Sequence, residues 1–423
     1  MATTVSNVIE ALRYTYGVNK VQYMFNQESV TYRILDKVKK GLGGRGQFII
    51  PIMTQNAGAF TGIVEGGTLP TALAPDTAEA SFSLQEYVGM YDVSWKLIQD
   101  ARSDKFAFQQ AIQMMDDGIR RRIMRNLNSD LLDDGRGRLG VMPAADDDTV
   151  VTLNSLPRME KGMVLDCMDT DNDTKHADSV TVNAVDPIAR TVTLSGATSS
   201  TAAGDYFVIQ DTTDDSINDS LHSNGLLGII DDADPAAVVG DYGGIDRGTA
   251  GNEFWESVVL SNGGTNRPFT EDLGLQALDG AREKGSGLLD AWLSNLAITR
   301  RYHEQLAAER FFAMSSPGVI SGGIGRPNKD AAEDGKSVYE FSGIPWHVDP
   351  YFNANTIVGL DTKHFFLGVG ENDAPRPISE IFDNIPFFRQ TTSATFEVAW
   401  YFQMELLSDN PAAGVKLEDI AES

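Results

Sequence analysis

Thr395-Phe396-Glu397-Val398-Ala399-Trp400-Tyr401-Phe402-Gln403-Met404-Glu405-Leu406 puts large apolar side chains at every second position near the end of a 423-residue chain. A period of two is the signature of a β-strand with one face buried, and a strand carrying Trp400, Phe402 and Met404 must lie against a helix or another sheet. The strongest helix in the sequence lies far earlier in the chain. It is opened by the capping candidates Ser103 and Asp104 and runs to about Leu132. Ile112, Met115, Ile119, Ile123, Leu127 and Leu131 form one apolar stripe at three- and four-residue spacing. Asp116 with Arg120, and Asp117 with Arg121, stand at i,i+4 in the favourable acid-first order. Arg121, Arg122 and Arg125 are expected to project from the opposite side.

Ahead of this helix, residues 47 to 95 read as a long hairpin. Phe48 to Met53 goes out, Ser81 to Trp95 returns, and a tip rich in Gly, Ala, Thr and Pro lies between Gln55 and Ala80. A two-stranded ribbon is marginal alone in water, so this arm needs packing on the rest of the fold or on another chain. The first 48 residues are basic on an acidic protein: Arg13, Lys20, Arg33, Lys37, Lys39, Lys40 and Arg45 outnumber Glu10, Glu28 and Asp36. Gly41-Leu42-Gly43-Gly44-Arg45-Gly46 fits a G-x-G-x-x-G pattern but precedes a strand instead of following one, which favours a hinge over a phosphate cradle.

Composition changes near residue 146. Short strand-like runs follow one another at Val150 to Leu153, Met163 to Met168, Ser179 to Val185, Thr191 to Leu194 and Tyr206 to Ile209, a spacing that predicts a small antiparallel barrel inserted as its own unit. Its aspartates, among them Asp146, Asp147, Asp148, Asp214 and Asp215, should face solvent. Beyond it the chain returns to mixed α and β character, with helices expected over Thr270 to Lys284 and Arg300 to Met314 and a loop from Ser315 to Gly325.

The net charge of -26 argues against wrapping a polyanion over most of the surface, so nucleic acid could meet only a local basic patch. Cys167 stands alone, which excludes an intrachain disulfide framework and a cysteine zinc site and makes a reducing compartment the simplest home. Neither a signal-peptide h-region in the first 16 residues nor a membrane-length apolar run is present. The histidines His176, His222, His303, His347 and His364 are scattered, with Ala307 where an H-E-x-x-H pairing with His303-Glu304 would need its second ligand. Asp169, Asp171 and Asp173 imitate the start of a calcium loop, but Thr174 and Val180 occupy the positions of its glycine and bidentate glutamate. No cofactor, metal or catalytic residue is expected.

The ordered set of parts, basic arm, long extended loop, amphipathic spine helix, mixed middle and terminal strand, resembles the Hong Kong 97-type major capsid proteins of tailed bacteriophages. So do Gly225-Leu226-Leu227-Gly228-Ile229-Ile230, Phe254-Trp255, Phe341-Ser342-Gly343-Ile344-Pro345-Trp346-His347-Val348-Asp349 and Glu405-Leu406-Leu407-Ser408-Asp409-Asn410-Pro411-Ala412-Ala413. The resemblance implies an α+β fold with an N-terminal arm (1–46), an E-loop hairpin (47–95), a P-domain with the spine helix (96–145), the inserted barrel (146–216), a P-domain continuation (217–284), an A-domain (285–380) and the P-domain terminal strand (381–423). It further implies a non-enzymatic subunit that assembles with itself as hexamers and pentamers, in the host bacterial cytoplasm, into an icosahedral virion shell around double-stranded DNA. A portal and, since the chain begins at the arm, a separate scaffolding protein are expected partners; a decoration protein on the insert is a further one.

Arg121, Arg122, Arg125, Lys37, Lys39, Lys40 and Arg45 become candidate contacts to neighbouring subunits or to DNA on the inner face, against the plainer reading of a solvated face. Some members crosslink through an E-loop lysine, but residues 46 to 95 contain none, so isopeptide crosslinking from this loop is not expected. Two alternatives stay open: an encapsulin-like nanocompartment shell, and, on another fold, a hydrolase or carbohydrate-binding protein working through the acidic insert.

Overall fold

The computed structural model describes residues 30–39, 47–71, 74–96, 105–170, 175–210, 222–233, 241–285, 287–313, 339–370, 376–377, 388–389 and 395–422. The Gly-rich stretch at 41–46 and the loop expected from Ser315 lie outside them.

The terminal strand, Thr395–Ser408, is the hub of a six-stranded sheet. Along one edge it pairs antiparallel with Gln85–Ser94, from Thr395 opposite Ser94 to Met404 opposite Gln85. Along the other it pairs with Phe365–Val369, which in turn carries Asp36–Lys39 in parallel, and with the short strands Arg376–Pro377 and Phe388–Arg389. The spine helix, Lys105–Leu132, covers one face. Gly89 marks the crossing: it lies opposite Trp400, and a Cβ there would meet Ile123 Cδ1 at 2.8 Å and Ile119 Cγ1 at 3.0 Å. Tyr87 and Tyr91, on the same face as Gly89, donate their hydroxyls to Asp130 (2.8 Å) and Asp116 (2.6 Å) of the helix. Asp116 therefore takes a tertiary partner, and Arg120 lies over the Trp400 ring at 5.6 Å, in place of the i,i+4 pair expected between them. Ile123, Leu127, Leu131, Val398, Trp400 and Phe402 share the main core.

The hairpin differs from the expectation. Its return strand is Asp76–Ser83, which pairs with Gln47–Gln55, and the chain then breaks at Leu84 so that Gln85–Ser94 joins the terminal strand instead. Ser81 to Trp95 is thus two strands with two partners. Phe48, Ala80 and Phe82 root the hairpin in the main core, with the Phe82 ring 4.9 Å from that of Tyr242.

The inserted unit is a six-stranded sheet in the order Gly140–Val141, Tyr206–Ile209, Val164–Met168, Lys175–Asp186, Thr191–Leu194, Val150–Thr152. The five expected strands are present, but no strand ladder closes them into the expected barrel. Among the described residues the two edge strands, Gly140–Val141 and Val150–Thr152, do not pair with each other, and the bonds from Asn154 N to Val141 O (2.8 Å) and from Arg158 N to Leu139 O (3.2 Å) join the segments beside them. Register shifts at Leu165/Cys167 and Val182/Ala184 bend the long central strand around its own core of Leu139, Val151, Leu165, Cys167, Val182 and Phe207. The aspartates brace its turns: Asp147 accepts from Thr201 N and Oγ1, and Asp186 from the amides of Ile188 and Ala189.

A third six-stranded sheet runs Val258–Leu260, Val415–Leu417, Ile357–Leu360, Ala291–Ser294, Ile344–Val348, Tyr339–Phe341. Helix Glu271–Gly285 packs on it through Leu273, Ala277 and Ala281, beside Trp292, Phe341 and Trp346. Ser342 and Gly343, both at positive φ (55° and 79°), make the two-residue hairpin turn. Helix Glu271–Gly285 shares a core with Trp292, Phe341, Trp346 and Ile357, and Phe365–Val369 pairs with the terminal strand.

Gly225 N-caps the short helix Leu226–Ile229 where it meets the end of the spine helix, and a Cβ there would collide with the carbonyl oxygens of Asp130 and Asp133. Gly225→Ala is expected to cost about 3 kcal/mol or more, because backbone cannot yield. Gly118→Ala, at an exposed mid-helix site where a Cβ meets nothing within 4 Å, should instead stabilise by about 0.5–1 kcal/mol. Urea unfolding of both variants checks the opposite signs.

Candidate assembly surfaces

Beyond its rooted base the hairpin stands in water. Phe60 is fully exposed, and Val64 and Leu69 are 78 % and 76 % exposed. From Gln47 to Pro75 the only charged residue is Glu65. An apolar tip with a single charge is a candidate interaction surface, since folded monomers seldom leave such residues together in solvent. A second apolar strip lies on the ribbon face turned away from the spine helix, where Val88 and Met90 are more than half exposed. Glu86 borders it, accepting from Tyr401 Oη (2.7 Å) and Gln403 Nε2 (2.9 Å).

The candidate contact residues separate. Lys37 is exposed, its ammonium 3.8 Å from the centroid of the Tyr32 ring. Lys39 ends the strand Asp36–Lys39, and Lys40 and Arg45 lie outside the described residues. Arg122 is exposed and Arg121 partly buried on the spine helix. Arg125 does not project with them: it is 8 % exposed and bonds Glu160 of the insert, with Met163 Sδ 3.8 Å from Nη2. The insert's base covers that side of the helix end, which helical spacing alone does not reveal.

Beneath these surfaces lies a buried polar joint. Arg158, 3 % exposed, donates to the Tyr351 carbonyl and Asn353 Oδ1 (3.0 Å), and to the carbonyls of Ser129 (3.3 Å) and Arg138 (3.2 Å). One guanidinium thereby ties the insert to the spine helix and to the loop at 349–353. Burial lowers the Arg158 pKa, while Asp133 and Asp349 favour its charge. Asp133 is buried as well; burial alone would raise its carboxyl, but Arg138, at 2.6 and 2.8 Å, and Arg158 hold it below the usual range. Asp349 is raised by burial, against bonds from Tyr351 N and Asn128 Nδ2. Arg190 makes a second clamp, to Glu422 at 3.2 Å and the Asn154 carbonyl at 2.6 Å. No sequence signal marks Arg158; it follows Pro157 in a loop.

The remaining chemistry is dispersed. His176, His222 and His364 each meet one aspartate, Asp205 (3.2 Å), Asp130 (3.2 Å) and Asp409 (2.8 Å). Among the described residues no three of His, Cys, Asp and Glu are grouped to hold a metal ion, and Asp171 and Asp173 fall outside them. Burial pushes the Cys167 thiol up to about 12, so it is not a nucleophile at neutral pH. No helix among the described residues is long and apolar enough to cross a membrane.

No family model and no curated protein matches the sequence. Solved structures do. The cyanophage A-1(L) capsid asymmetric unit is 13 % identical, with 95 % of this chain and 96 % of that chain covered and a TM-score of 0.55. The capsid of an empty GTA particle is 11 % identical over 96 % and 94 % with a TM-score of 0.45. The holo-SrpI encapsulin complex from Synechococcus elongatus is 9 % identical over 98 % and 96 % with a TM-score of 0.46. On the first of these the chain has the fold of a phage capsid subunit, mixed α and β, over nearly its whole length.

Arg158→Met keeps the aliphatic length and removes the guanidinium from its buried acceptors. The expected loss is about 1–3 kcal/mol for each buried acceptor left unpaired. It should appear as a lower urea midpoint together with protease cleavage between the insert and the spine helix.

Proposed function

We propose that the chain is the major capsid protein of a tailed phage, a structural subunit that closes with copies of itself into an icosahedral shell around double-stranded DNA. The observation that carries this reading is the hairpin: on a capsid-subunit fold, an apolar tip whose single charge is Glu65 projects into water from a base locked in the subunit's core. Burying Phe60, Ile63, Val64 and Leu69 on another copy would supply roughly 1.5–3 kcal/mol per side chain, repeated at every contact of the shell. Cohesion then comes from burial and strand contacts without chemistry, in line with a loop that has no lysine.

Arg122 and the basic arm are the groups we assign to the inner face, where they would neutralise DNA phosphates without reading sequence. The acidic insert is assigned to the outside. Its role is that of a brace, supported by the Arg125, Arg158 and Arg190 clamps that tie it to the spine helix and to the 349–353 and 422 segments. A portal, a scaffolding protein and a decoration protein complete the expected partners.

Negative-stain microscopy of the protein, expressed alone and with its neighbouring genes, is expected to show closed shells or capsomer rings; a stable monomer in both preparations overturns the reading. Packaged DNA in such shells supports a virion, and a protein cargo instead supports a nanocompartment. Phe60→Ser with Val64→Ser should leave a folded subunit that no longer closes shells. Purified shells should run as monomer in denaturing gels, where a covalent ladder would contradict burial as the source of cohesion. Deleting residues 148 to 213 should abolish soluble, assembly-competent subunit, whereas normal shells lacking a bound partner would make the insert a binding platform.

A further inference from the structure

The terminal strand carries a buried carboxyl group with no counter-ion. Glu405 is 2 % exposed, and its Oε1 accepts from both the backbone N and Nδ2 of Asn224, each at 3.1 Å. Its Oε2 and the Oδ1 of the same asparagine are both buried without a hydrogen-bond partner. Two side chains already joined by one amide hydrogen bond are thus left with one acceptor each, and acceptors cannot satisfy one another. A single proton on Oε2 would turn one orphan into a donor, with Asn224 Oδ1, on the side chain that already gives Nδ2–H to Oε1, as its acceptor in the two-bond ring of a carboxylic acid with a carboxamide. Leaving the pair unprotonated would leave two buried polar atoms and a buried charge uncompensated.

The groups facing Glu405 push in both directions: the Asp130 charge disfavours its ionised form, whereas Asn224 and Ser223 favour it. The spine helix presents Asp130, whose carboxylate already receives the hydroxyl of Tyr87 and faces His222 Nδ1 at 3.2 Å. The segment before Leu226 offers Ser223, whose Oγ accepts from Leu406 N at 3.2 Å. The neighbouring strand places Gly368 opposite, and Tyr242 spends its hydroxyl on the Leu406 carbonyl. Arg247, over the Tyr242 ring, gives its guanidinium to the carbonyls of Gly228, Ile229 and Ala233. Burial, with the Asp130 charge adding, pushes Glu405 up to about 8 against the bonds from Asn224 and Ser223.

We propose that Glu405 is held as the neutral acid in the folded subunit, and that its proton latches the terminal strand to residues 222–225 over the end of the spine helix. Ionisation breaks one hydrogen bond of the ring and leaves a carboxylate beside Asp130, so the joint loosens as pH rises. The sign follows from linkage: the folded chain keeps a proton that the unfolded chain has lost between its ordinary value of 4.5 and about 8, so stability is full below that window and declines through it. This inference concerns the subunit itself and does not depend on the shell reading.

Infrared spectroscopy of the full chain tests it. A hydrogen-bonded carboxylic-acid C=O band is expected at neutral pH, lost with a midpoint at about 8 and absent from Glu405→Gln. Absence of the acid band in the wild-type protein at neutral pH overturns the proposal, and this measurement does not require the variant to fold. Glu405→Gln reproduces the acid's donor and acceptor, so it should fold and lose the pH response: the ratio of wild-type to variant folding constants should fall about tenfold per pH unit between 4.5 and 8. A ratio independent of pH overturns the latch.

Discussion

Ten consecutive backbone pairs join residues 85–94 to residues 395–404, and the remaining parts are arranged around that ladder. It closes a loop of some three hundred residues, so it cannot form until its two strands are held near each other by something else. The spine helix does this. It follows directly on the first strand, covers its Gly89 face, and presents Ile119, Ile123 and Leu127 to the side on which Trp400 and Phe402 arrive. The terminal segment then continues through Pro411–Ala413 into Val415–Leu417, which is a central strand of the third sheet. One stretch of chain, 395 to 417, is a member of both large sheets, so neither can shift without the other.

What was legible in the sequence is what periodicity can encode. The spine helix, the terminal strand, both later helices and five strands of the insert were visible because each repeats its apolar residues at a fixed spacing. Pairing partners were not. Ser81 to Trp95 reads as one strand because Leu84 carries no break signal, and only the tertiary structure divides it between the hairpin and the terminal strand. Barrel closure was not legible for a related reason, since it depends on whether the two edge strands come into register with each other, which composition does not encode.

The buried charges were the least legible. Arg125 sits one turn from exposed Arg122 and looks the same in sequence; the insert's Glu160 makes the difference. Glu405 falls on the polar alternation of the terminal strand, which a period of two assigns to solvent, yet from Met404 to Ser408 every residue is buried. That end of the strand is covered on both faces, by the main core and by residues 222–225. A buried ion pair such as Arg125–Glu160 adds little net stability over apolar packing but fixes geometry, because it must be broken whole before its elements can rotate. The insert is therefore oriented on the spine helix through Arg158, while the hairpin tip has no such restraint.

This division of restraint bears on how an acidic subunit can associate with copies of itself. At a net charge of -26, copies repel one another at distances within a Debye length, about 8 Å at physiological salt. Attraction has to be concentrated where that field is weakest. The span from Gln47 to Pro75, with Glu65 as its single charge, is such a place, and Phe60, Val64 and Leu69 stand on it clear of the acidic body. A rooted base gives the tip a defined reach, and with Glu65 as its single charge the tip would approach an acidic neighbour at a smaller desolvation penalty than a charge-rich segment. The same composition that makes the tip unfavourable on an isolated chain is what would let it join two copies in the proposed shell.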